Sequence, residues 1–499
     1  MTKRFVRRFG KAACLSLAVL ILATRVVAAE KPNIVLVMTD DQEDGPSVAV
    51  MKNLKALVAV RGVVFQNSFV ENPICCPSRA TLVTGQYSHN NGVFSNNDAT
   101  VNGIQYVGGY KGLLPTDTNT LPVWLKNAGY RTAMIGKYVN GYSVGGRGTP
   151  VYVPPGWDRW FARAETGGSS YFGYEIDDQG TLKSFGKAPH EYLTDVLLAE
   201  ALSFIEAKAA SSQPFFLAFM PSAPHGEVKR AADGRFYVAP PVPAPRHAGA
   251  FADAVMPRKP SFNPIDVSGK PAYMRELPLL QQHEIDEVEL TYRRRLESML
   301  AVDEAIAAIL KKLELTGKSD DTLIIYTSDN GYFLGEHRRG EGKLLVYEES
   351  IRVPLMMAGP GVSRGEMRSQ LVNNADLVAT IVQVAGATPQ RALDGRSLAP
   401  VLSDTRHPWR DTLLFQGLLR YWGKLYGAYR AVRTADAIYV ENELVGGKLE
   451  NEFYDLAKDP YQVRNVITEA RYAAKIRDLQ QRLARLRNCV GKSCWSPHP

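Results

Sequence analysis

Asn33-Ile-Val-Leu-Val-Met-Thr-Asp-Asp41 and Thr322-Leu-Ile-Ile-Tyr-Thr-Ser-Asp-Asn330 decide the fold of this chain. Each is a run of branched and apolar residues that stops abruptly in two acidic or amide side chains. Hydrophobicity without polar alternation predicts strands buried on both faces, at Asn33–Met38 and Thr322–Thr327. Arg131–Ile135, Phe215–Met220 and Val353–Ala358 have the same character. Helical patterns fall between them, at about 50–60, 77–84, 120–128, 190–209, 285–315 and 374–386. Strands alternating with helices predict an α/β fold with a large, mostly parallel sheet sandwiched by helices. In the longest helix Leu296, Met299, Val302, Ile306 and Ile309 form the apolar stripe, which leaves Arg293, Arg294, Arg295 and Glu297 as an expected solvated face.

Four of the strands run into polar residues: Asp40-Asp41, Gly136-Lys137, Pro224-His225 and Asp329-Asn330. In an open α/β sheet the carboxyl ends of parallel strands share one edge, where ligands bind. Asp40, Asp41, Asp329 and Asn330 would bring hard oxygen donors and three negative charges there, a set suited to calcium, with magnesium as the alternative, rather than zinc. Each pair alone would be an ordinary turn or cap; together at one edge they point to a metal. Lys137 and His225 would reach the same cleft from their strand ends.

Residues 71–93 read Glu-Asn-Pro-Ile-Cys75-Cys76-Pro77-Ser-Arg79-Ala-Thr-Leu-Val-Thr-Gly85-Gln-Tyr-Ser-His89-Asn-Asn-Gly-Val. The pattern is a turn and a short helix, with Pro77 at the first helical position and Gly85 as the stop. Cys75 then sits at the electropositive mouth of a helix with Arg79 one turn inside, a place that favours an anion. His89 is the nearby imidazole, and packing and function are equally open for it.

The run Cys-x-Pro-Ser-Arg followed by Ala-Thr-Leu-Val-Thr-Gly resembles the signature of the formylglycine-dependent type I sulfatases of the alkaline phosphatase superfamily. The resemblance covers nearly all of the chain and implies that Cys75, and not Cys76, is oxidised to Cα-formylglycine (3-oxoalanine). It implies Asp40, Asp41, Cys75, Asp329 and Asn330 as calcium ligands. It also implies Arg79, Lys137, His225 and Lys343 as the groups that bind the sulfate and stabilise the leaving oxygen. Lys343 is matched through Gly342-Lys343, Tyr347-Glu348 and Arg352-Val-Pro354. Gly-Lys-Tyr-Val-Asn140 departs from the commoner pattern, which has a histidine two places after the lysine; it is closer to the glucosamine-6-sulfatase variant and makes Asn140 a candidate substrate contact. His337, in Gly-Glu-His-Arg-Arg, is a second candidate contact.

The C-terminal part alternates as strands at Thr412–Gln416, Tyr426–Thr434 and Ala437–Glu441, followed by Glu452-Phe-Tyr-Asp-Leu and a helix over about 469–487. This resembles the C-terminal subdomain of sulfatases. The expected organisation is a signal peptide at 1–29, a catalytic domain at 30–405 and an α+β subdomain of antiparallel sheet plus helix at 406–499.

Residues 1–29 combine a basic start, an apolar run from Ala12 to Ala23 and the small-residue end Val27-Ala28-Ala29. That is an export signal, too short for a comfortable membrane anchor, and it implies a periplasmic or secreted product; Arg7-Arg8 leaves both Sec and twin-arginine routes open. The whole chain carries +8, but six of its 59 basic residues and none of its 51 acidic ones lie in this segment. The mature chain is nearly neutral, which gives no support for binding nucleic acid or a membrane. In an exported protein Cys489 and Cys494 can pair as a disulfide or remain thiols.

The expected partners are a sulfated small molecule or glycan as substrate and a formylglycine-generating enzyme or other maturase during synthesis. Hydrolysis of an aryl sulfate or a sulfated sugar is the expected reaction. The nearest alternative is a phosphonate monoester or phosphodiester hydrolase of the same superfamily; a non-catalytic protein that binds sulfated glycans ranks behind it.

Overall fold

The computed structural model describes residues 1–2, 31–143, 151–164, 170–231, 234, 236–421 and 423–495. Residues 3–29 of the expected export signal lie outside them.

Ten strands form the central sheet: β1 (Asn33–Thr39), β2 (Val63–Phe65), β3 (Arg131–Gly136), β4 (Arg159–Arg163), β5 (Glu175–Asp178), β6 (Thr181–Ser184), β7 (Phe215–Met220), β8 (Thr322–Ser328), β9 (Leu355–Ala358) and β10 (Glu366–Arg368). Their spatial order is β10-β2-β9-β8-β1-β7-β3-β4-β5-β6. The five middle strands, β8 to β4 in that order, are parallel. The fifth expected strand is shorter than the sequence suggests and runs antiparallel to β8. Between Ser328 and Leu355 the one helix is the single turn Glu348–Ile351, so no helix carries the chain back over the sheet as parallel crossovers usually do.

Both faces of the sheet are apolar because alternate residues of each middle strand enter different cores. Ile34, Leu36, Met38, Leu323 and Ile325 pack in the first, under α1 (Cys75–Thr84), α2 (Leu121–Asn127) and α5 (Asn374–Ala385). Val35, Val37, Ile324 and Tyr326 pack in the second, under α3 (Leu193–Ala207) and α4 (Gln282–Leu315).

The C-terminal sheet is an antiparallel meander of β11 (Leu413–Tyr421), β12 (Lys424–Arg433), β13 (Ala437–Leu444) and β14 (Leu449–Asp455). Helix α6 (Ala473–Leu486) covers one face through Ile476, Leu479, Leu483 and Leu486. The other face, with Phe415, Tyr429, Ala431 and Val440, packs on Phe69, Phe333, Leu345, Val346 and Tyr347. Cys489 and Cys494 are joined as a disulfide. Among the described residues no helix is long and apolar enough to cross a membrane.

Candidate active site

Helix α1 is entirely buried, starts from an extended Ile74 and stops at Gly85, which takes φ +68°. Pro77 falls at its third position rather than its first. The difference costs nothing, because the N–H that proline lacks is still among the first four with no partner inside the helix. Cys75 opens the helix, and its thiol faces the ends of β1 and the loop after β8. Sγ lies 3.5 Å from Asp40 Oδ1 and 3.9 Å from Asp41 Oδ1.

The parallel register delivers the remaining groups to the same edge. Thr39 stands opposite Ser328 and Met220 opposite Gly136, so the residues that follow them meet. The Asp41 N–H donates to Asp329 Oδ1 at 3.0 Å, and Asn330 Nδ2 donates to Asp41 Oδ1 at 2.7 Å. Arg79 reaches across from α1, with Nε 2.8 Å from Asp329 Oδ2 and a terminal nitrogen 2.6 Å from the Lys137 carbonyl. Lys137 pairs with Asp40 and Lys343 with Asp41. Lys343 Nζ is also 2.8 Å from Cys75 Sγ. His225 Nε2 lies 3.7 Å from Asp41 Oδ2, while Nδ1 sits 2.6 Å from the Gly226 carbonyl. That carbonyl can only accept, so Nδ1 carries the proton and Nε2 faces the carboxylates.

Gly136 makes the approach of Lys137 possible. It takes φ +117°, and a Cβ there would lie 2.0 Å from the Met220 carbonyl oxygen. Gly136→Ala is therefore expected to push β3 and β7 apart at the cleft, with strain of about 1–3 kcal/mol before any clash is counted. A lowered urea midpoint together with lost turnover would be the result; an unchanged midpoint would contradict the packing described.

The charges are buried and opposed. Burial works against an ionised Asp40, yet Lys137, His225, Arg79 and Lys343 together hold it well below the usual carboxylate range. Burial first, and the charge of Asp40 next, push Asp329 up to about 6. Burial pushes the Cys75 thiol up to about 12 and His225 down to about 4. Three carboxylates this close call for cations.

Asp40, Asp41, Cys75 and His225 each offer a ligand atom, all within 4.8 Å of one another. Asn330 Oδ1 is buried with no hydrogen-bond partner, an orphaned acceptor of the kind a cation satisfies. The donor set therefore fits a divalent metal. One Arg79 terminal nitrogen is also buried without a hydrogen-bond partner, which suits an incoming anion.

Not every candidate joins this cluster. His337 is fully buried and stacks on Tyr347 with ring centroids 4.0 Å apart, its Nε2 3.5 Å from a Glu349 oxygen. The rings of Phe333 and Tyr347 pack against it in the layer under the C-terminal sheet. The Asn140 carbonyl accepts from the Tyr110 N–H at 2.7 Å, and its side chain is half-buried. His89 is a bracket, with Nε2 2.9 Å from the Cys489 carbonyl and Nδ1 2.8 Å from Gln416 Nε2.

Arg295, expected on the solvated face of the longest helix, is buried instead. It is 1% exposed. It donates to the Asp41 carbonyl at 2.6 Å and the Pro224 carbonyl at 3.3 Å, pairs with Glu43, and lies over the Tyr332 ring. Asp41 holds φ +67°, and Arg295 ties that uncommon backbone to the turn that presents His225. Glu297 is buried too. The sequence signal was positional: 295 is one place from Leu296 and three from Tyr292, on the edge of the buried stripe.

A family model described as Sulfatase matches residues 32–387. The chain belongs to the sulfatase family. A second model, N-sulphoglucosamine sulphohydrolase, C-terminal, matches residues 335–489 of this sulfatase. An arylsulfatase of Volvox carteri is 34% identical, over 95% of this chain and 77% of the relative. The human N-acetylglucosamine-6-sulfatase is 30% identical, over 94% and 86%. A solved structure of a protein in complex with its substrate D-glucosamine-2-N,6-O-disulfate is 26% identical, with a TM-score of 0.72 over 93% of this chain and 98% of that one. The protein is thus a sulfuric ester hydrolase of the alkaline phosphatase superfamily.

Proposed function

We propose that this sulfatase is an exported, calcium-dependent enzyme whose nucleophile is a formylglycine made from Cys75 by a maturase, and that its substrate is the sulfate ester of a sugar. One observation carries the reading: Cys75, Arg79, Lys137, His225 and Lys343 meet at a single sheet edge beside Asp40, Asp41, Asp329 and Asn330. The sugar is favoured over an aryl alcohol because the human relative is named for a glucosamine sulfate and the solved relative for a sulfated glucosamine. The basic, apolar and small-residue start at 1–29 supports export. The catalytic domain ends near 405 in this proposal, supported by the C-terminal sheet beginning at Leu413.

In this reading Cys75 Sγ marks where the oxygens of the hydrated aldehyde stand. One hydroxyl attacks sulfur in line and the alcohol departs with a proton. The other then loses its proton as the carbon–oxygen bond to sulfate breaks, which restores the aldehyde; a serine or thiol ester has no such exit. Arg79, Lys137 and Lys343 hold the sulfate oxygens and offset the charge that develops, preorganised by their carboxylate partners. A sulfate beside His225 favours the charged imidazole, which then donates from Nε2. Held by Asp40, Asp41, Asp329 and Asn330, a calcium ion would lower the pKa of a hydroxyl at position 75 and neutralise the acidic cluster.

Dialysis against a chelator is expected to remove activity, and calcium to restore it better than zinc, since the donors are hard oxygens. Full activity after exhaustive chelation would overturn the metal assignment. The reading as a whole is tested by offering matched 6-O-sulfated glucosamine, aryl sulfate and aryl phosphodiester to protein co-expressed with a formylglycine-generating enzyme. Sulfate release from the sugar is expected; preference for the phosphodiester would refute it.

A further inference from the structure

Lys343 sits on a strained piece of chain. Gly342 takes φ +134° and Leu344, a branched residue, takes φ +90°, a region that side chains larger than glycine enter only when their surroundings hold them. Three contacts do so. The Leu344 N–H donates to the Pro73 carbonyl at 3.1 Å, two residues before Cys75. Arg339 donates to the Lys343 carbonyl at 3.2 Å. The Tyr429 hydroxyl donates to the Leu344 carbonyl at 2.9 Å.

Of these, Tyr429 is the one that comes from the C-terminal sheet. Its side chain is 2% exposed, and burial pushes the phenol up, so it stays a donor. Its ring lies across β11 at Gly417, its register partner; a Cβ at 417 would meet the hydroxyl oxygen at 2.8 Å and ring carbons at 2.9 Å. The glycine thus leaves the space that the ring needs to reach the lysine segment.

We propose that Tyr429 is a positioning residue for Lys343: its hydroxyl fixes the left-handed Leu344 peptide, which aims the Lys343 ammonium at position 75. The C-terminal sheet then belongs to the catalytic device and is more than a cover for it. The inference rests on the reading of Lys343 as a group that touches the sulfate.

The test is a double-mutant cycle on the matured enzyme with a sulfate ester that it turns over. Tyr429→Phe is expected to lower kcat about 5- to 10-fold with KM little changed, and to lower the urea midpoint modestly, because the buried Leu344 carbonyl loses its donor. In a Lys343→Ala background the same substitution is expected to cost nothing further, because there is no ammonium left to aim. Gly417→Ala, which displaces the ring without removing the hydroxyl, is expected to reproduce the loss. A Tyr429→Phe enzyme with unchanged kcat, or a loss carried in full into Lys343→Ala, would overturn the inference alone. A fully active Lys343→Ala enzyme would remove the role of Lys343, and this inference with it.

Discussion

Cys75→Ala is expected to fold, to keep its metal and to lose sulfate release by at least about 10⁴-fold in kcat, the scale on which removing a covalent nucleophile acts. Folding should survive because the thiol carries little of the structure. Its carboxylate contacts are long, at 3.5 and 3.9 Å. Lys343 keeps Asp41 as a partner when the sulfur is gone. Helix α1 is held by the packing of Ala80, Leu82 and Val83 and capped at Gly85, none of which the substitution touches. The residual activity expected is what bound cations and charge alone can supply. Turnover assays beside a urea midpoint and a calcium titration separate chemistry from fold. A Cys75→Ala enzyme within tenfold of the parent would be incompatible with a formylglycine nucleophile.

Arg295→Met is expected to destabilise the chain by about 3–5 kcal/mol, the usual consequence of leaving one member of a buried ion pair behind. Glu43 would lose its partner, and the Asp41 and Pro224 carbonyls their shared donor. The loss should reach the chemistry as well. Asp41 and His225 are no longer held to each other, so calcium affinity and kcat fall together. Arg295→Lys keeps the charge without the planar fork that serves two carbonyls and a carboxylate, and belongs between methionine and the parent. Denaturant midpoints and calcium titrations of both variants decide the matter; an Arg295→Met enzyme as stable as the parent would contradict the burial described.

Much of this was legible because the physics was local. Asn33–Met38 and Thr322–Thr327 read as doubly buried strands since each of their faces meets a helix layer, which leaves no polar position to obscure the signal. The site followed from them, as a parallel register places whatever comes after the last apolar residue at one edge. The outer strands Glu175–Asp178 and Thr181–Ser184 were illegible for the converse reason. They are short, polar and partly exposed, and only pairing with a neighbour makes them strands. Arg295 failed under a rule that is right for most arginines: its carbonyl partners lie 71 and 254 residues away. His337 sits in an aromatic layer that no local pattern announces, its ring stacked on Tyr347. Tyr429 carries no motif at all, and its role depends on the backbone angles of a loop it does not touch in sequence.

Peptide mass spectrometry of residue 75 in fully active protein tests the formylglycine nucleophile most directly. Loss of the thiol is expected, with an aldehyde in its place that reacts with hydrazides, in a fraction that tracks specific activity from one preparation to the next. An unmodified Cys75 thiol in protein at full activity would contradict it.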